Sequence, residues 1–358
     1  MATVTYRYEP DYAVPPGWIL EERLEDRQIS HAEFARRCGR SAKLISEIIA
    51  GKAPIEPVTA LQFEKVLGLD ASVWLGMETD YRLHQEREAE KARAEELEEW
   101  SKAFPVTELV KRGIMPKPSS SSDRVSSLLS FFGVATEEAW QNRQKQLRVA
   151  YRHSPSFKSN DYALATWLRL GEIEAERAEC ADYNEPKLRQ SLARIRRLAA
   201  AQSTDQLDEA QRLCREAGVV LAIVKPLPKT ALSGVAWWLT PRKAVIQLSA
   251  RHKKDDHLWF SLFHEAAHLL LHSKRSIFID ERNGKIAETD TQADKWAADF
   301  LVPPADWKRF TARPRFSRRA VLQFAKQQGI APSIVVGRLQ YEKHIPWDHL
   351  NDLRVSLA

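Results

Sequence analysis

Cysteine is scarce in this chain: three residues in 358, Cys38, Cys180 and Cys214. Their number is odd, they fall in three separate segments read as helical, and no pair has zinc-binding spacing. A disulfide framework and a thiolate metal site are therefore excluded, and ordinary buried thiols in a reducing cytosol are expected. Long apolar runs are missing as well. Nothing approaches 18 consecutive apolar residues, and Met1-Ala-Thr-Val does not open a signal peptide, so no membrane association and a cytoplasmic location are expected. Nor does one sign of charge dominate, because 54 Lys and Arg are interspersed with 48 Asp and Glu for a formal net charge of +6. That balance favours an anionic partner such as DNA without requiring one. The 44% of apolar residues suffices for real cores, and the length fits two to three domains.

What is present is most informative at residues 264–268, His-Glu-Ala-Ala-His, inside the apolar stretch Ser261-Leu-Phe-His-Glu-Ala-Ala-His-Leu-Leu-Leu-His272. No Pro or Gly interrupts His257 to Ser273, and the spacing predicts a buried helix, apolar nearly all round. Positions i and i+4 share a helix face, so His264 and His268 can present two imidazoles to one Zn2+ ion. Glu265 then stands where it can take a proton from a water that the zinc activates, as in zinc peptidases. The plainer alternative is a pair of hydrogen-bonded core histidines.

Catalytic zinc needs a third protein ligand. The continuation His-x-x-Gly-x-x-His is excluded by Leu271 and Lys274. Downstream, residues 288–303 predict a second helix, with Ala293, Trp296, Ala297, Phe300 and Leu301 at helical spacing. Asp290 and Asp294 lie four apart on it. One can bind the metal while the other accepts a hydrogen bond from a ligand imidazole, although acids near a helix start are also common as solvated or capping residues.

The block from about Val219 to Pro304, with HEAAHLLLH and QADKWAADFLVPP, resembles the ImmA/IrrE family of zinc metallopeptidases. That resemblance implies a zincin-like α+β domain and, carried over residue by residue, places the acid ligand on Asp290. The family usually has Glu there. One methylene fewer leaves three readings open: weaker zinc binding, use of Glu288 instead, or a kept fold without peptidase activity. His272, one turn beyond His268, and Asp294 are expected to support the ligands rather than to be ligands. Val219–Val224, Val235–Leu239 and Ala244–Leu248 read as short strands independently of the resemblance.

The amino-terminal region carries a second pattern. Helices are predicted over Trp18–Arg27, Ser30–Cys38, Ser41–Ile49 and Thr59–Leu67. Ser30 with Glu33 has capping-box spacing, Cys38-Gly39-Arg40-Ser41 supplies a turn, and Ser41 can cap the next helix. This is the outline of a helix-turn-helix whose second helix enters the major groove. The stretch from Pro15 to Tyr81, including Gly-Lys-Ala-Pro-Ile and Leu-Gly-Leu-Asp, resembles the XRE-type helix-turn-helix of the HigA/VapI antitoxins. The resemblance implies contacts to DNA bases from Ala42, Lys43, Ser46 and Glu47, with Arg40, Lys52, Arg36 and Arg37 near phosphate. A protein-interaction module that no longer binds DNA is the alternative.

The expected fold class is mainly α with a small β-sheet: an all-α amino-terminal domain and a carboxy-terminal α+β zincin-like domain. The expected boundaries are 1–112 for the helix-turn-helix domain with a charged helical extension from His84 to Trp100, 113–124 for a linker, 125–217 for a helical segment, and 218–358 for the metallopeptidase-type domain. In the middle segment, Trp140, Tyr151, Trp167, Leu168 and Leu170 are expected core, and a helix starting near Val125 is capped by Ser122 or Asp123. Ser317–Gln328 and Pro332–Gln340 read as late helices, and His344 and His349 as loop histidines that are either surface residues or donors to the cleft. The expected function is a DNA-binding regulator of antitoxin type with a zinc endopeptidase domain, homodimeric on DNA, acting on a partner toxin or repressor. The alternative is a non-catalytic repressor whose metal domain is a scaffold or sensor.

Overall fold

The computed structural model describes residues 13–151, 160–200, 205–228, 230, 233–249, 255–272 and 286–354. The chain divides into two compact units, Met1–Glu99 with Ser120–Val125, and Trp100–Ser119 with Ser126–Ala358.

The first unit is all α. It comprises α1 (Pro16–Asp26), α2 (His31–Cys38), α3 (Ala42–Ile49), α4 (Pro57–Leu67) and α5 (Ala71–Glu96). Serines start the two short helices: Ser30 Oγ accepts the Glu33 N–H and Ser41 Oγ accepts the Leu44 N–H. The Glu33 carboxylate runs forward to Arg37 Nε at 2.8 Å and to Arg36, along the helix surface. Between α2 and α3 the chain turns at Gly39 with φ +63°, a left-handed conformation that suits glycine at a helix C-terminus. Leu20, Leu24, Phe34, Ile45, Ile48, Phe63, Leu67 and Trp74 form one core. In it Phe63 meets Phe34 at 5.0 Å and the edge of Trp74 at 5.6 Å. Helix α5 leaves this core after its first turns. Its charged outer part, which includes the Lys91–Glu88 pair, is exposed from Glu86 to Arg93 and ends at Glu96, so the solvated helix read between His84 and Trp100 is interrupted before the last residues of that run.

Next come α6 (Glu98–Lys102), α7 (Val106–Lys111), α8 (Ser121–Phe132), α9 (Glu137–Tyr151), α10 (Asp161–Arg177), α11 (Glu185–Leu198) and α12 (Gln206–Glu216). Helix α8 starts four residues earlier than expected. Its cap is Ser120, whose Oγ accepts the Asp123 N–H at 3.0 Å, two residues before Ser122 and three before Asp123, the caps expected from sequence. Trp140, Trp167 and Leu168 are buried and Leu170 is half-buried; the Tyr151 side chain lies outside the described residues. Cys38 and Cys214 are buried thiols, whereas half-buried Cys180 sits between α10 and α11 instead of in a helix.

The sheet consists of β1 (Val219–Ile223), β2 (Gly234–Thr240) and β3 (Lys243–Leu248) in the order β1-β3-β2. β1 runs parallel to β3, and β2 returns antiparallel to it. Then follow α13 (Asp255–Leu271), α14 (Ile286–Leu301), α15 (Pro304–Thr311), α16 (Arg318–Gln328) and α17 (Pro332–Tyr341). Helix α13 packs on β2, β3, α14 and α17. Its Leu262, Phe263 and Ala266 are fully buried in a core shared with Ala297, Val335, Val336 and Leu339. A helix this apolar has little stability apart from such packing. Arg338 Nη1 reaches back from α17 to the Ala298 and Val302 carbonyls at 2.8 and 3.4 Å, tying down the last turn of α14. Among the described residues no helix is long and apolar enough to cross a membrane.

Candidate metal centre and nucleic-acid interface

The geometry of α13 and α14 brings together side chains that are 22 or more residues apart in sequence. His264 and His268, one turn apart on α13, turn their Nε2 atoms toward each other at 3.1 Å. Asp290 Oδ1 on α14 lies 3.5 Å from His268 Nε2. One ligand atom from each of the three residues falls within 4.8 Å of the others. For a tetrahedral ion with ligand bonds near 2.0–2.1 Å, neighbouring donors stand about 3.3 Å apart. Two of the three separations, 3.1 and 3.5 Å, bracket that value, and two imidazole nitrogens with a carboxylate oxygen are donors of the type such an ion takes.

The remaining ring nitrogens are held by neighbours. His264 Nδ1 donates to Asp294 Oδ1 at 2.7 Å, which leaves the His264 Nε2 lone pair directed at the cluster. His268 Nδ1 stands 3.2 Å from His272 Nδ1. Of Asp290 and Asp294 on α14, the first therefore joins the cluster and the second orients an imidazole. Glu288 is exposed, and its carboxylate accepts from Gln292 at 3.4 Å; it is outside the group of three.

Glu265 sits between the two histidines in sequence and points toward the sheet. It is only 7% exposed, and its carboxylate accepts the Ala236 N–H of β2. Burial pushes its pKa up to about 7; the Asp290 and Asp294 charges act in the same direction, while His264 and the Ala236 N–H oppose it. A carboxyl that titrates near neutrality can both accept and return a proton. Burial, then the neighbouring His264 and His272, hold His268 down to about 3, hence neutral. Burial opposes a charge on His264 too, but the Asp294 hydrogen bond and the carboxylates of Glu265 and Asp290 outweigh it and raise its pKa.

Sequence reasoning missed the wall against which Glu265 rests. A Cβ at Gly234, the first residue of β2, would lie 2.9 Å from both Glu265 Cγ and Oε1 and 2.8 Å from Leu248 Cδ2. Glycine at the head of a strand marks a close approach by another group, and that was the available signal. His344 and His349 take other places. His344 packs beside Trp307 and Phe316 with Nε2 3.3 Å from Glu342, and the His349 carbonyl accepts from Gln340.

In the first unit the expected DNA-facing residues lie on one short helix and its flanks. Ala42, Lys43 and Ser46 of α3 are exposed, as is Lys52 in the following turn, while Glu47 is half-buried. Lys43 Nζ lies 3.7 Å from Glu47, and Arg40 Nε donates to Gln62 Oε1 at 2.6 Å. Arg36 and Arg37 share Glu33. Exposed pairs of this kind contribute little, so these cations can exchange protein partners for phosphates.

Comparison with known proteins agrees with both halves. Residues 214–327, which hold the sheet, α13 and α14, match the Peptidase M78 family model, described as an IrrE N-terminal-like domain. The amino-terminal region is similar to YddM of Escherichia coli (strain K12), an uncharacterized HTH-type transcriptional regulator, at 33% identity over 76 residues, which is 21% of this chain and 78% of that protein. A crystal structure from Nostoc punctiforme PCC 73102, described as that of a candidate antidote protein of a plasmid maintenance system, is 28% identical. It covers 24% of this chain and 93% of that one, with a TM-score of 0.23. The class is thus a helix-turn-helix regulator region joined to a zincin-like metallopeptidase-family domain. The chain belongs to the HTH-type transcriptional regulators and carries an IrrE-type domain in the same polypeptide.

Proposed function

We propose that the protein is a DNA-binding transcriptional regulator of the XRE, HigA-like antitoxin type with a zinc-dependent endopeptidase site. The convergence of His264 Nε2, His268 Nε2 and Asp290 beside a buried Glu265 carries this proposal. His264, His268 and Asp290 would hold the zinc, which when bound would supply Lewis acidity. Asp294 keeps His264 in the tautomer that offers Nε2, and His272 buttresses His268. Glu265, fixed against β2, takes the proton of the attacking water and returns it to the departing amine of a protein substrate. At the other site, α3 enters the major groove. Lys43, Ser46, Ala42 and Glu47 face base edges, Arg40 and Lys52 face phosphates, and a homodimer spans two half-sites. The substrate is a partner toxin or repressor.

The shortened acid, Asp290, favours a second reading, in which the metal domain serves a cytoplasmic repressor as scaffold or sensor for a toxin. One set of measurements separates the two. Metal content is determined for the wild type and for His264→Ala, Asp290→Ala and Glu288→Ala, and proteolysis for Glu265→Gln. About one zinc per chain, lost with His264 or Asp290 and kept without Glu288, is expected. Loss of cleavage in Glu265→Gln with metal and DNA binding intact supports the enzyme. A wild type that takes up no zinc even when it is added leaves only the repressor.

A further inference from the structure

The helical middle segment borders a cleft of about 1000 Å³ in the second unit. That size is at the upper end for small-molecule sites. Phe131 of α8, Leu170 and Ile173 of α10, and Val220 and Leu221 of β1 give it an apolar part. Ser126, Ser127 and Ser130 of α8, Arg177 at the end of α10 and Arg215 at the end of α12 also line it.

These two arginines are surplus to local needs. Cations near helix C-termini usually serve the last carbonyls, but here other groups already do so: at the end of α12 the Leu213 and Arg215 carbonyls accept from Ser191 Oγ and the Ala181 N–H. Lys243 Nζ donates to the Ala175 and Ala178 carbonyls at the end of α10, at 3.0 and 2.7 Å. Arg169 Nε and Arg143 Nη1 take the Phe131 and Phe132 carbonyls at the end of α8. Arg169, which also lines the cleft, is neutralised by Glu172 and Glu176. Among the described residues, neither the Arg177 nor the Arg215 guanidinium has a hydrogen bond or an ion pair. The acid that remains on the lining, Glu174, has its pKa raised by burial against the pull of Arg215. The β1 backbone adds to the donors. Gly218 and Val224 bond toward β3, and residues alternate along a parallel strand, so Leu221 presents its backbone to the free edge. The Leu221 carbonyl there is already taken by Gln211 Nε2 at 3.0 Å, which leaves its N–H.

We propose that this cleft binds a small organic anion with an apolar body, its acid group between Arg177 and Arg215 and its body against Ile173, Leu170 and Val220. Hydroxyls, guanidiniums and a strand N–H all donate, so the ligand is rich in acceptors. The site is distinct from the His264–His268–Asp290 cluster in every residue named.

The test uses two dyes that share an aromatic body and differ in charge: 8-anilinonaphthalene-1-sulfonate and uncharged N-phenyl-1-naphthylamine. The full chain should bind about one equivalent of the sulfonate at micromolar concentration. Arg177→Gln with Arg215→Gln should weaken the sulfonate about tenfold or more while leaving the uncharged dye within about twofold. Ile173→Trp, or Ser127→Phe if that variant does not fold, should weaken both dyes. Both arginines are exposed and unpaired among the described residues, so the double variant should melt like the wild type. Unchanged sulfonate binding in the double variant overturns the proposal. So does unchanged binding of both dyes in a folded filling variant, or no binding to the wild type.

Discussion

The two candidate sites place their chemistry in opposite ways. On α3 the residues proposed to face DNA are exposed or half-buried, are paired with close neighbours, and rest on a core, Phe34, Ile45, Phe63 and Trp74, with which they share no polar contact in the hydrogen bonds described above. In the α13–α14 pair the candidate groups are buried or half-buried, each held by another: Asp294 by His264, His268 by His272, Glu265 by the β2 backbone. A surface site can lose a residue and keep its fold. An interior site is part of the packing, so its chemistry and its stability change together.

The comparison can be broken hardest from the core of the first unit. Phe63→Ala should cost about 3–5 kcal/mol and remove DNA binding with the fold of that unit, while metal content persists; hydrogen exchange followed in each unit reads this. In the second unit Gly234→Ala should displace Glu265 and lower proteolysis on the order of a hundredfold or more with metal retained, because positioning errors near 1 Å have costs of that size. Cleavage at the wild-type rate would detach Glu265 from β2. Asp294→Ala should weaken metal affinity about 10–100-fold, measured by competition with a chelator. Lys43→Ala should leave melting unchanged and lower the salt slope of DNA binding by about one; an unchanged slope removes Lys43 from the interface.

The smallest effect concerns pH. Burial, helped by Asp256 and opposed by the Ser333 hydrogen bond, holds Asp255 above the usual carboxylate range. The folded chain therefore keeps this proton to higher pH than the unfolded chain does. The group costs stability above its unfolded pKa, and the cost is recovered as pH falls through that window. Going from about pH 4 to pH 7, the melting point of Asp255→Asn should move up relative to the wild type, by roughly a degree or two.

Local signals were legible in the sequence. Ser30, Ser41, Ser317 and Gly329 mark helix ends through bonds reaching three or four residues, and the three strands fall within a residue or so of the β-branched runs. The His264–His268 pair follows from one helical turn. Helical spacing offered Asp290 and Asp294 together, and the choice of Asp290 came from the family resemblance, because no local rule links either to α13. Contacts across elements were silent: the support of Glu265 by β2, the hold of Arg338 on α14, and the surplus of arginines at the cleft depend on which helix end meets which side chain. Cys180 was misplaced because its flanks carry helical composition up to the break after Arg177.

The bare carbon at Gly234 also bears on descent. A lineage that keeps His-Glu-Ala-Ala-His but acquires a side chain at the head of β2 has lost room for the glutamate where it stands here. One that keeps both is still constrained by it. The motif by itself survives drift, since histidines can persist as ordinary packing; the glycine about thirty residues upstream does not have that refuge. Read together, the two positions distinguish working copies from inherited shells more sharply than either does alone.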